Sequence, residues 1–456
     1  MLVSNLKNIK MKYIFKHKIK HLIMLTMLLA LTACETDFDN PNAATADQTF
    51  SSREGILAAT VGMQQIYSTT GIRWIVETPA ITTREGGITT TFQNMIELED
   101  GGTDLPNFNS NVQGLWATML RVMKTCEDIE SNASLISLEA GTESGLLAYA
   151  KLFKAMSIGG LAQNFEHVIV QTSNNNDAGF IPRIDGFQAA ITLLNDAKSI
   201  LTTTAISDEF TNEITLGNID VLNSINAMLA RYNLFAGNYE AAITAANSVD
   251  LSSTSVFAYD SQNLNPIWSR VFQSTEKRFK PRDNFGLPNT FSFDASDGRL
   301  SFYLIPLDET NQNGLPIEDL AGFFGAETGS LPLYIPDEMM LIIAEANLRK
   351  SSPDTTAAIT AINNVLTDTN DVFNINANVE AYSGTNTVDA LLDEVYRNRR
   401  AELFLTGMSL EDSRRFSRPQ PSGASMIYTE ERNRNFYPYP DTERNSNPNT
   451  PEDPAI

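Results

Sequence analysis

Ala230-Arg231-Tyr232-Asn233-Leu234-Phe235-Ala236-Gly237-Asn238-Tyr239-Glu240-Ala241-Ala242-Ile243 is the stretch on which the fold turns. Its first half closes an apolar helix, Gly237 permits the turn, and the alanines after Tyr239 let a second helix lie close to the first. Similar units stand at Phe187-Gln188-Ala189-Ala190-Ile191 and Thr355-Thr356-Ala357-Ala358-Ile359, each after a helix-and-turn segment. A lone helix pair cannot bury its apolar face, so the copies predict stacked pairs. Their irregular spacing predicts insertions rather than a clean solenoid. Chance likeness among alanine-rich helices is the competing reading.

Outward from this unit, helical spacing runs through Ile56, Ala59, Met63 and Ile66, and again over 113–138, 143–165, 334–350, 354–369 and 387–405. Ala230, Gly237, Tyr239 and Ala242 fall where the tetratricopeptide pattern places its small and aromatic residues. Residues 69–112 are rich in Thr, Gly and Asn and lack a sustained period, which predicts short strands and loops. Residues 251–333 mix Pro, Asn, Asp, Gly and Phe with short apolar runs and predict the same. The expected fold is therefore mainly α: tetratricopeptide-like helix pairs forming a curved scaffold, with long loop and short-strand excursions packed on it. Scaffold is expected over about 51–68, 113–250 and 334–417, and excursions over about 69–112 and 251–333, all in a single domain of residues 51–456. The proline- and asparagine-rich tail from Arg418 reads as irregular and laid over the surface.

The amino end reads as an export signal. Lys7, Lys10, Lys12, Lys16, Lys18 and Lys20 precede an apolar run from 22 to 33 that is too short to span a bilayer. A signal starting at Met11 would already be complete. Leu31-Thr32-Ala33-Cys34 resembles a lipobox, which implies removal of residues 1–33, acylation of Cys34 and a tether over 34–50. Glu35, Asp37 and Asp39 resemble the acidic stretch that marks lipoproteins for surface display in Bacteroidetes-type bacteria; an ordinary solvated tether is the alternative. Together these imply a lipid-anchored protein of the outer membrane facing the exterior.

The chain carries 33 basic and 55 acidic residues, and loss of the six signal lysines leaves 27 against 55. So acidic a protein is a poor nucleic-acid partner, because binders of nucleic acid present basic patches. With Cys34 acylated, Cys126 has no partner for an intrachain disulfide, and its apolar setting reads as core. His17 and His21 leave with the signal, so only His167 remains. A histidine-rich zinc site is excluded, and no nucleophile motif stands near His167, which reads as structural. The acidic run Glu97, Glu99, Asp100 and Asp104 lacks the EF-hand pattern and reads as a solvated turn, with calcium as the alternative.

Three further segments are specific. Residues 331–346, Leu-Pro-Leu-Tyr-Ile-Pro-Asp-Glu-Met-Met-Leu-Ile-Ile-Ala-Glu-Ala, lead into an Ala-Glu-Ala helix. Residues 395–407 carry Arg397, Arg399, Arg400, Glu402, Leu403 and Gly407, followed by Asp412-Ser413-Arg414-Arg415-Phe416. Tyr437-Pro438-Tyr439-Pro440 and the Asn445 to Asn449 element close the chain. With the lipobox and Asp39-Asn40-Pro41-Asn42, these resemble the SusD/RagB-like family of outer-membrane nutrient-binding lipoproteins. Thr406 and Met408 depart from the family's usual charged residue and arginine around Gly407. The arginines 397, 399, 400, 414 and 415 beside Glu394, Glu402, Glu411 and Asp412 read as an ion-pair network fixing a helix end.

The resemblance implies a cell-surface glycan-binding lipoprotein that captures oligo- or polysaccharide and delivers it to a SusC-like TonB-dependent transporter, with no catalytic residues, metal or cofactor. Capture of peptide in the RagB manner, a surface glycoside hydrolase and a scaffolding adaptor are the alternatives. Sugar rings favour aromatic platforms in loops, with amides and guanidinium groups for hydroxyls. The candidates are Arg73, Trp74, Phe92 and Asn94 in the first excursion and Phe279, Arg282, Asn284 and Phe285 in the second. Phe291 and Phe293 follow them, and a hydrophobic cluster beneath a long loop is the competing reading for each phenylalanine. Trp116 and Trp268, in apolar settings on a helix and near a strand, read as core.

Overall fold

Ser52 starts the first long helix, α1 (Arg53–Ile66), by accepting the Gly55 N–H on its Oγ at 3.1 Å, a cap worth about 1 kcal/mol. The chain then departs from expectation. It continues through a π-helical turn, Tyr67–Gly71, into α2 (Ile72–Thr82), and after the short β1 (Gly86–Ile88) forms α3 (Gln93–Asp100). Most of the stretch read as loops and strands is thus helical. Thr69 and Thr83 donate to carbonyls four residues back at 2.6 Å each, so their hydroxyls are satisfied inside the turns. Burial of Ile75, Val76, Ala80 and Ile81 outweighs the weak helix propensity of threonine.

This computed structural model describes residues 46–419 and 431–456. Residues Met1–Thr49 group as one unit, described only for its short helix Ala46–Thr49, and Phe50–Ile456 as the other. The export signal, Cys34 and most of the tether lie outside the described residues.

In the larger unit α4 (Ser110–Asn132) turns its stripe of Val112, Leu115, Trp116, Met119, Met123 and Cys126 inward. It packs on α5 (Ala140–Asn164), which is buried along nearly its whole length. The antiparallel hairpin β2 (His167–Ile169) and β3 (Phe180–Pro182) leads to α6 (Arg183–Thr203), which returns along α5. α7 (Val221–Phe235) is capped by Asp220, turns at Gly237 (φ +79°) and pairs with α8 (Tyr239–Ala246). Later α11 (Pro336–Arg349) pairs with α12 (Thr355–Leu366), and α13 (Val388–Glu402) and α14 (Ser409–Arg415) follow. The three Ala-Ala-Ile units thus lie in the second helices of three packed pairs, and the fold is mainly helical as expected.

The excursion over 251–333 is mixed, as read. Its ends meet where β4 (Val256–Phe257) pairs with β8 (Leu331–Pro332), and inside it β6 (Leu304–Thr310) and β7 (Pro316–Leu320) form a bulged hairpin. β5 (Phe279–Pro281) crosses to pair with β1, setting Ile88 opposite Phe279 and joining the two excursions. Two short helices lie in it, α9 (Pro266–Phe272) and α10 (Gly298–Tyr303). Trp268 sits on α9 rather than near a strand and is half-buried, whereas Trp116 is core and stacks on Phe180 at 5.6 Å between ring centres.

The arginine network is present and buried. Arg399 forks onto Asp412 at 2.9 and 3.1 Å, and Arg415 reaches Asp412 at 2.7 Å and Glu345 at 2.7 and 2.9 Å. Arg414 meets Glu411 at 2.6 Å, Arg183 pairs with the same carboxylate, and Arg397 holds Glu394 at 2.6 Å. These contacts bind α13 and α14 to α11 and α6. The three guanidinium groups around Glu411 hold its carboxyl down at about 2 despite burial.

The tail corrects the reading of a surface segment. Tyr437 and Tyr439 are fully buried: the Tyr437 hydroxyl lies 2.8 Å from Thr82 Oγ1, and Tyr439 stacks on Phe165. Asn433 donates to the Leu98 and Glu99 carbonyls at 2.7 and 3.0 Å, and Arg434 to Gly102 at 2.5 Å. Backbone donors and acceptors left open at the ends of α2, α3 and α5 give these residues a place inside.

Candidate functional site

Two aromatic side chains of the first excursion, Trp74 and Phe92, are partly exposed and each covered by a guanidinium group. On the first turn of α2, Arg73 lies 4.2 Å from the ring centre of Trp74. At the start of α3, Phe92 is 49% exposed and Arg278 lies 4.2 Å from its ring centre. Trp74 rests on Gly114 of α4 so closely that a Cβ at 114 would fall 2.5 Å from the indole. Each stacked guanidinium contributes roughly 0.5–1 kcal/mol, and Arg278 Nη1 also donates to the Thr275 and Lys277 carbonyls at 3.2 and 2.9 Å.

A buried polar chain holds these residues in place. Arg278 donates its N–H to the Arg270 carbonyl at 2.7 Å and accepts from Thr89 N at 2.8 Å. The fully buried Arg270 pairs with Glu77, and its Nη1 donates to Glu276 at 3.0 Å. Glu77 accepts from Asn111 Nδ2 at 2.7 Å, and Asn111 accepts from Asn94 Nδ2 at 2.5 Å. Asn109 closes the chain by donating to the Asn94 carbonyl at 2.9 Å and to Glu97 at 2.8 Å, which places its neighbour Phe108, 61% exposed, beside α3. Burial first, then the charge of Arg270, lowers Arg73 from the usual arginine range, with Glu77 and Glu276 opposing. Its Nε is buried without a hydrogen-bond partner.

The structure therefore brings Arg73, Trp74, Phe92 and Asn94 onto one connected framework. The second-excursion candidates fare differently. Phe279 and Phe285 are fully buried and cannot be platforms: Phe279 is the inward residue of β5, and Phe285 packs on Tyr303 and Phe404. Arg282 and Asn284 are half-buried and serve a turn, Arg282 meeting Asp283 at 3.1 Å and Asn284, in the left-handed region at φ +50°, donating to the Leu287 carbonyl at 3.1 Å. Phe291 and Phe293 are half-buried under Arg418 and Arg397.

Sequence reasoning missed Arg278 and Phe108. Strand alternation in Lys277-Arg278-Phe279 puts Arg278 on the face opposite Phe279, and the turn Pro106-Asn107-Phe108-Asn109 leads into an asparagine cap, so both had local signals. The acidic run resolves as structure: Glu99 is buried and accepts from Ile88 N at 2.8 Å and Asn311 Nδ2 at 3.0 Å. His167 is half-buried, its backbone N–H donating to the Tyr439 hydroxyl at 2.8 Å. A cavity of about 80 Å³ is lined by Tyr67, Arg231, Tyr232, Tyr334 and Glu338 among others.

Against known proteins, the model of the SusD family matches residues 337–454. No curated protein matches the sequence. Among solved structures, a SusD superfamily protein from Bacteroides thetaiotaomicron is similar at TM-score 0.64 and 15% identity, covering 88% of this chain and 100% of the other. One from Parabacteroides distasonis gives 0.67 and 14%, covering 88% and 99%. A SusD-like carbohydrate binding protein from Bacteroides fragilis gives 0.65 and 14%, covering 88% and 99%. At these identities the likeness is one of fold.

Proposed function

Because this chain is SusD-like in fold, and in sequence over residues 337–454, we propose that it is a cell-surface lipoprotein that captures a glycan and passes it to a SusC-like TonB-dependent transporter. The observation that carries the reading is the pair of partly exposed rings under guanidinium groups, Trp74 under Arg73 and Phe92 under Arg278, with Phe108 exposed in the turn tied to α3. Aromatic faces meet the C–H faces of sugar rings, and guanidinium and amide N–H groups donate to hydroxyl or carboxylate oxygens. The bound state forms and releases without covalent chemistry. The relative from Bacteroides fragilis described as carbohydrate binding supports the same class.

Attachment would run through acyl-Cys34 after loss of residues 1–33, with 34–50 as tether and 51–456 as the binding domain. No helix among the described residues is long and apolar enough to cross a membrane.

The test is native affinity electrophoresis of the full chain in mild detergent through gels holding single plant, algal or microbial polysaccharides, beside Trp74→Ala. Retardation by one glycan that the variant loses, without released product, is expected. Retention of peptides instead would move the reading to peptide capture, and released oligosaccharide would make the protein a hydrolase.

A further inference from the structure

Far along the chain from the aromatic face, three carboxylates converge from separate segments. Asp337 stands in the first turn of α11, Asp371 in the loop after α12, and Glu402 at the end of α13; each offers an oxygen within 4.8 Å of the others. Calcium binds oxygens at about 2.4 Å, so two ligands on opposite sides of one ion lie about 4.8 Å apart. The group is therefore no wider than a single coordination shell.

Its surroundings leave the negative charge unmet. Glu402 is fully buried and its Oε1 has no hydrogen-bond partner; Asp337, 9% exposed, has Oδ2 in the same condition. The guanidinium at hand, Arg299, is committed to Asp297 at 2.7 and 2.9 Å and reaches Glu402 Oε2 only at 3.4 Å. Asp368 adds a fourth carboxylate whose charge bears on Asp337. The loop is preformed: Asp371 accepts Ile375 N–H at 3.0 Å and donates its own N–H to Asn376 Oδ1 at 2.9 Å, while Gly298 of α10 donates to the Ala377 carbonyl at 3.0 Å.

We propose that Asp337, Asp371 and Glu402 bind a calcium ion that ties α11, the loop after α12 and the end of α13 together. The unpartnered Asp337 Oδ2 and Glu402 Oε1 become ligands, Asp371 adds an oxygen that also accepts a backbone N–H, and the ion supplies the charge that Arg299 cannot. Calcium suits the site better than magnesium, because hard oxygen donors on three separate segments fit its flexible shell more readily than a strict octahedron. The inference does not depend on what the face around Trp74 binds.

The test uses the full chain stripped with EGTA and titrated with terbium, an oxygen-seeking calcium substitute whose emission a nearby tyrosine sensitises. Tyr303 donates to the Glu402 backbone carbonyl at 3.2 Å and is placed for this. Expected are sensitised emission displaced by calcium, a higher thermal midpoint with calcium than with EGTA, and loss of both in Asp371→Asn. Tyr303→Phe should reduce the emission while equilibrium dialysis still finds calcium bound, which locates the ion without altering a ligand should Asp371→Asn fail to fold. No calcium-dependent midpoint and no emission, or responses unchanged in both variants, would overturn the proposal.

Discussion

Arginine does opposite work in two regions of this molecule. Around α13 and α14 three guanidinium groups meet carboxylates in a setting with almost no solvent: Arg399 on Asp412, Arg415 on Glu345 and Asp412, Arg414 on Glu411. On the excursion face Arg73 and Arg278 lie over aromatic rings, and Arg73 Nε finds no partner. The first arrangement fixes geometry through paired charge-assisted bonds, with Arg399 Nη1, Arg414 Nε and Arg415 Nη1 left over. The second sets a guanidinium group against an aromatic ring with no hydrogen-bonded carboxylate among the described residues. The contrast teaches that residue type alone does not separate scaffold from site, whereas the presence of a hydrogen-bonded carboxylate does.

The contrast can be broken most sharply in the scaffold. Asp412→Ala leaves Arg399 and part of Arg415 as buried charges without their carboxylate; a loss of about 3–5 kcal/mol is expected, read by urea denaturation. A cost below about 1 kcal/mol would mean that the network behaves as a surface one. Next in size, Gly114→Ala forces a Cβ against Trp74 and should cost about 1–3 kcal/mol while displacing the indole, seen as a shift in tryptophan emission. An unchanged spectrum would deny the close contact.

On the face itself, Trp74→Ala and Phe92→Ala should each weaken ligand retention by about tenfold, equal to about 1.4 kcal/mol, and leave the urea midpoint near that of the parent. Equal losses of stability and binding would make the face a piece of scaffold. The smallest effect concerns Glu85, whose carboxyl burial pushes up to about 7 against the pull of Arg400. A folded-state value above the ordinary 4.5 means that its proton stabilises the fold at low pH and that this share is lost as pH rises through about 7. Glu85→Gln should flatten that part of the decline in thermal midpoint with pH.

The same division explains what could be read from sequence. Helix pairs and the arginine network were legible because their signals are local: Gly237, the Ala-Ala-Ile units, and acids and bases a few residues apart. α2 was not, since Thr82 and Thr83 look like loop residues until their hydroxyls find carbonyls one turn back and Tyr437 packs on the end of the helix. In the first excursion Phe92 stood out in the sequence because it is alone among polar neighbours, and Trp74 because it opens the segment beside Arg73. Phe279 misled through its type: in a strand the side that faces out is set by register, and register with β1 is a property of two distant segments.

The strap from Asn433 to Tyr439 carries a temporal meaning. It plugs the ends of α2, α3 and α5, and Trp116 of α4 donates to Glu443 in α15 (Asp441–Ser446) at 3.0 Å. Residues more than 300 positions apart in sequence must meet before the support beneath Trp74 and Phe92 is whole. During synthesis that strap emerges after every helix it plugs, so a nascent chain lacks the contacts beneath Trp74 and Phe92 until the strap has followed them.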